Sequence, residues 1–126
     1  MKALKLILEK KSKKIRERQV KLPKKIKILN KTFDILRGDK YLGYFHFNDK
    51  DNNGKPTIYI NDKKDDEVVL EVFMHETMEI VLELTKARYE RPDEQDNFVF
   101  YYSHKEHDIM SKIMGDVVGQ LLKIQQ

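Results

Sequence analysis

His75-Glu76-Thr77-Met78-Glu79 sets one imidazole and two carboxylates within five positions of a 126-residue chain. On a helix, residues four apart share a face, so His75 and Glu79 project together and can share one ion. Glu76 follows one position on, about 100° around the helix, close enough to touch a water held by that ion. This is the geometry of the HExxH zinc helix, where two ligands hold the metal and the intervening glutamate acts as base. Here Glu79 stands where the second histidine would be, and a carboxylate oxygen is an acceptable zinc ligand. The chain has no cysteine, which excludes disulfides and thiolate sites. Any transition metal must therefore be held by His, Asp or Glu. A third ligand is needed, and His46, His104 and His107 are the remaining histidines. The competing reading is a solvated acidic helix face, with Glu71, Glu76, Glu79 and Glu83 in water and His75 a bystander.

The elements that would carry these residues are legible as an α+β order. Residues 24–36 read as strand, with Ile26, Ile28, Phe33 and Ile35 alternating with polar residues and a turn near Asn30-Lys31. Tyr41 to Phe47 and Thr57 to Ile60 read as further strands, separated by the polar loop Asn48 to Pro56. Within it, Asp49-Lys50-Asp51-Asn52-Asn53-Gly54 resembles the start of a calcium-binding EF-hand loop, with Asp49 as its first position. Its twelfth position is Ile60, though, and β-like sequence follows, so a hairpin loop is expected. The close spacing of these strands suggests a short antiparallel sheet. Asp65, Asp66 and Glu67 suit a helix N-terminus, and an apolar pattern without Gly or Pro runs from Val68 to Leu84. Arg91 to Asn97 reads as a linker, and Phe98 to Tyr102 is β-like. Ser103 and Glu106 fit a capping box before a last helix with Met110, Ile113, Met114, Val117, Val118 and Leu121 on one face.

Phe73 to Val81 around the HE-x-x-E core, with Phe98-Val99-Phe100-Tyr101-Tyr102-Ser103-His104-Lys105-Glu106 further on, resembles small zinc metallopeptidases encoded by phages and other mobile elements. These belong to the zincin group. The early strand Lys25 to Ile28 is similar to theirs, and the resemblance spans about residues 24–122. It implies a zincin-like fold, in which the short antiparallel sheet precedes the motif helix and a C-terminal helix follows. It also implies His75, Glu79 and His104 as zinc ligands and Glu76 as base. His107 stands where that family has an aromatic residue. Periodicity turns His107 toward the apolar stripe of the last helix, so it is the alternative third ligand. The activity implied is hydrolysis of a peptide bond in a peptide or protein substrate by metal-activated water. Glu76 would move the proton, and Tyr101 or Tyr102 stand near enough in sequence to His104 to assist.

Charge divides the chain. The first 31 residues hold 13 Lys/Arg and 2 Glu, and the rest hold 12 Lys/Arg and 19 Asp/Glu. A basic head thus precedes an acidic body. Residues 1–22 are expected to form a basic helical or flexible arm and residues 23–126 the domain. The arm supports a second function, a non-enzymatic module that binds nucleic acid or an acidic protein through it. No aromatic residue before Phe33 is present to stack on bases. No stretch is apolar enough to span a membrane, and a cysteine-free chain without a signal-peptide core is expected in the cytoplasm.

Overall fold

Alternation of apolar and polar residues forms the first two strands. β1 (Lys25–Ile28) buries Ile26 and Ile28, and β2 (Lys31–Gly38) buries Phe33 and Ile35. Between them Leu29 takes a positive φ of 56° in a tight turn. The computed structural model describes residues 20–86, 88–90, 98–100 and 103–126, with side chains for 20–86 and 103–126. β3 (Gly43–Asp49) and β4 (Lys55–Asn61) complete a four-stranded sheet in the order β1-β2-β4-β3.

The sheet is mixed, which corrects the expectation of an antiparallel one. β2 and β4 run parallel as neighbours, while β1–β2 and β3–β4 are antiparallel. The four residues after Gly38 carry the chain past the position of β4 to the sheet edge. Hydrogen bonds fix that crossing. Arg37 donates from Nε and Nη2 to the carbonyls of Ile60 and Asn61 at 3.0 and 2.9 Å. The Asn61 side chain donates to the Tyr41 carbonyl at 2.9 Å, and its backbone N–H to that of Leu42 at 3.0 Å. β4 then lies between two neighbours and is buried continuously from Thr57 to Asn61.

The loop from Lys50 to Gly54 closes the β3–β4 hairpin through a single 3-10 turn at Lys50–Asn52, and strand reaches into both ends of the longer loop expected from Asn48 to Pro56. Asp49 is buried, and its carboxylate accepts from the Tyr44 hydroxyl and the Asp51 N–H, both at 3.0 Å. Asn53 and Gly54 take the left-handed conformations that finish the turn.

Two helices cover one face of the sheet. α1 spans Asp66–Leu84 and α2 spans His104–Lys123. From α1, Val69, Val72, Phe73, Ile80 and Val81 enter the core; from α2, Ile113, Val117 and Leu121 do. They meet Ile26, Ile28, Phe33, Ile35, Ile58 and Ile60 in one cluster. Met110 and Met114 pack against it, so the apolar face expected for α2 is the one that docks. β5 (Arg88–Glu90) pairs antiparallel with β6 (Phe98–Phe100) as a separate two-stranded ribbon.

Val20 and Leu22 pack against the core. Two glutamines of the C-terminal segment bind backbone on the outer side of the sheet's first edge. Gln120 accepts from the Lys27 N–H at 3.0 Å and donates to the Lys27 carbonyl at 2.8 Å. Gln125 makes the same two-point contact with Lys21, at 2.9 and 2.6 Å. Residues 1–19 of the basic segment, the linker Arg91 to Asn97, and Tyr101 and Tyr102 lie outside the described residues. Among the described residues, no helix is long and apolar enough to cross a membrane.

Candidate metal centre

α1 starts where the sequence supplies a cap. Asp65 is extended, and its carboxylate accepts the Val68 N–H at 3.0 Å. Asp66 and Glu67 follow in the first turn, where the helix dipole favours negative charge. The helix then runs unbroken to Leu84. The Thr85 hydroxyl donates to the Val81 carbonyl at 2.7 Å, and Lys86, at φ 58°, turns the chain away.

The core-facing stripe of α1 includes a carboxylate. Glu76 is 7% exposed, on the same face as Val72, Phe73 and Ile80. Thr77 shares that buried face, and its hydroxyl donates to the Phe73 carbonyl at 2.9 Å. His75 lies outward with 65% of its side chain exposed, and Glu79 is intermediate at 31%. His75 Nε2 and Glu79 Oε2 are 3.5 Å apart. One donor atom from each of His75, Glu76 and Glu79 lies within 4.8 Å of the other two.

This donor set fits zinc. It joins one imidazole nitrogen to carboxylate oxygens, the two ligand types left to a chain without cysteine. Two donors about 2.0–2.2 Å from one tetrahedral ion lie roughly 3.4 Å from each other. The 3.5 Å between His75 and Glu79 matches that span. Without an ion, the same pair makes an ordinary i,i+4 contact on a helix face.

A cleft of ≈ 320 Å³ opens beside the trio, lined by Leu42, Gly43, Glu71, Val72, His75 and Glu76. Gly43 is a point of close approach between β3 and α1. A Cβ there would stand 2.3 Å from Val72 Cγ1 and 3.6 Å from Glu76 Oε1. Glycine therefore allows the edge strand to close over the buried carboxylate. The cleft residues Leu42, Gly43, Glu71 and Val72 carry no motif that marks them as site residues in the sequence. Nothing local in Leu42-Gly43 shows that β3 will run beside α1, because that pairing is made only by the fold.

The other histidines stand apart from the trio. His104 opens α2, exposed, with Nε2 3.8 Å from Asp108 Oδ2. His107 is exposed in the same turn. Glu106 accepts from the Ser103 N–H at 3.1 Å and meets its hydroxyl, as the capping box anticipates. His46 is exposed on β3, with its ring 4.8 Å from that of Tyr44. In the calcium-like loop, Asp49 and Asn52 bind within the protein. Asp49 binds Tyr44, and Asn52 donates to Asp34 and Thr57 at 3.0 and 2.9 Å.

Comparison with protein-family models, with curated proteins and with solved structures gives no match.

Proposed function

We propose that this chain is a zincin-like zinc protein that hydrolyses a peptide bond at the cleft between β3 and α1. The observation that supports the reading is the approach of His75, Glu76 and Glu79 to within 4.8 Å of one another beside an open cleft. His75 and Glu79 would hold the metal. Zinc bound by such donors supplies Lewis acidity, polarising a carbonyl and making water acidic enough to attack near neutral pH. The Glu76 carboxylate, at the inner side of the trio, takes the proton of the attacking water and returns it to the leaving amine. The walls formed by Leu42 and Val72 hold the peptide and exclude solvent from one side.

The family resemblance names His104 as the third ligand, with His107 as its alternate, and neither belongs to the cluster on α1. Both stand at the exposed first turn of α2. Metal content decides the matter. One zinc per chain is expected in the purified protein and none in His75→Ala; absence of zinc in both, with zinc supplied, ends the metalloprotein reading. Zinc affinity of His104→Ala, His107→Ala and Glu76→Gln then assigns the third donor. Loss in a histidine variant leaves Glu76 to the proton, and Glu76→Gln should then keep zinc and lose cleavage. Loss in Glu76→Gln makes Glu76 a ligand and removes it as the base.

A second reading rests on charge. With 13 Lys/Arg in the first 31 residues, the chain would bind nucleic acid or an acidic protein through its basic segment without catalysis. DNA binding that weakens steeply with salt and disappears when residues 1–19 are removed supports that reading.

A further inference from the structure

The cleft has walls of two kinds. Leu42, 54% exposed, and Val72 offer apolar surface, and Glu71 offers a carboxylate. Glu71 lies one helical turn before His75 on the same face, exposed to solvent, with no ion pair to another described residue. From Asp66 to Leu84, α1 carries six acidic residues and no Lys or Arg, so the helix wall of the cleft is acidic. An apolar ligand side chain would cover Leu42 and desolvate Glu71 without return. An acidic one would meet Glu71 and Glu76 as like charges. A side chain with an aliphatic stem and a cationic head meets both walls.

We propose that the cleft takes a lysine or arginine side chain of a peptide, its stem against Leu42 and Val72 and its charged head at Glu71. Glu71 is then the residue that sets specificity. The inference deepens the hydrolytic reading of the same site and rests on it for the peptide nature of the ligand. A volume of ≈ 320 Å³ admits such a side chain together with adjoining peptide units.

The test is peptide binding followed by amide chemical shifts on the full-length chain, with zinc chelated so that nothing is cleaved. The probes are acetylated, amidated pentapeptides of alanine whose central residue is lysine, norleucine or glutamate. Lysine is expected to bind about fivefold more tightly than norleucine at low salt. The shifts should centre on Leu42, Gly43 and Val72, and the preference should shrink as salt rises. Glu71→Gln should bring the ratio near one, and Glu71→Lys should turn it toward the glutamate peptide. Glu83→Gln, which removes the same charge from α1 outside the cleft, should leave the ratio in place. Equal binding of lysine and norleucine, equal loss in the Glu83 and Glu71 variants, or no shift with any peptide overturns the inference. Cleavage with zinc restored is a separate readout. A Glu71-dependent lysine preference without turnover removes the hydrolytic reading alone, and turnover without that preference removes this inference alone.

Discussion

At Gly43 one missing carbon sets the distance between strand and helix. Alanine there would drive its Cβ into Val72 Cγ1, a β-branched side chain stiff on its helix, and to 3.2 Å from the Tyr59 carbonyl oxygen. Gly43→Ala is expected to destabilise the fold by about 1–3 kcal/mol, read as a lower urea midpoint with an unchanged slope. A second residue ties stability to pH. Burial, with the hydrogen bond to Asp49 next, pushes the Tyr44 hydroxyl from 10.0 up to about 12. The folded chain keeps this proton where the unfolded chain has lost it. The contribution is whole below pH 10 and declines as pH rises toward about 12. Tyr44→Phe should flatten that part of the alkaline unfolding curve. A wild-type curve with no Tyr44-dependent limb between these values would show that the hydroxyl is not held this way. Glu76 belongs to the same scale. The sequence shows it beside His75, and only the structure shows that its carboxylate faces β3 while the imidazole faces water.

Among the elements, the helices were the most legible. Asp65 to Glu67 announced the start of α1, and an uninterrupted apolar period carried it to Leu84. Removing the cap should show how far α1 depends on its first turn. Asp65→Ala loses the bond to the Val68 N–H and is expected to cost about 1 kcal/mol in chemical denaturation. The strands were also legible as strands, because Ile26, Ile28, Phe33 and Ile35 alternate with polar neighbours. Their order was not. Alternation reports which residues face the core and says nothing about which strand lies alongside. A short connection from β2 to β3 looks the same whether the two pair or, as here, leave a gap for β4. The continuous burial of Thr57 to Asn61 marks β4 as central, but a four-residue Thr-Ile-Tyr-Ile run is too short to declare it. The far wall of the cleft was hidden for the same reason. Leu42 and Glu71 are 29 positions apart and meet only because β3 takes the sheet edge nearest α1.

For the molecule as a whole, one core cluster links the sheet to both helices, so the trio on α1 is anchored through Phe73, Ile80 and Val81 to the same residues that hold α2. The acidic body and basic head seen in composition are a property of the entire chain, which a local motif does not reveal. The two-point contacts of Gln120 and Gln125 also act at this scale. β1 is an outer strand whose Lys-Ile-Lys-Ile sequence, with Ile26 and Ile28 turned inward, would be a ready template for another chain's backbone. Gln120 fills the donor and acceptor of Lys27 with an amide of its own, serving in place of a neighbouring strand residue. Gln120→Ala should leave folding nearly intact and raise the rate at which concentrated protein forms thioflavin-positive aggregates, with Lys27 methylated at its backbone nitrogen as the variant that suppresses the gain. The C-terminal helix thus occupies part of an open strand edge through Gln120, a duty separate from its share in the core.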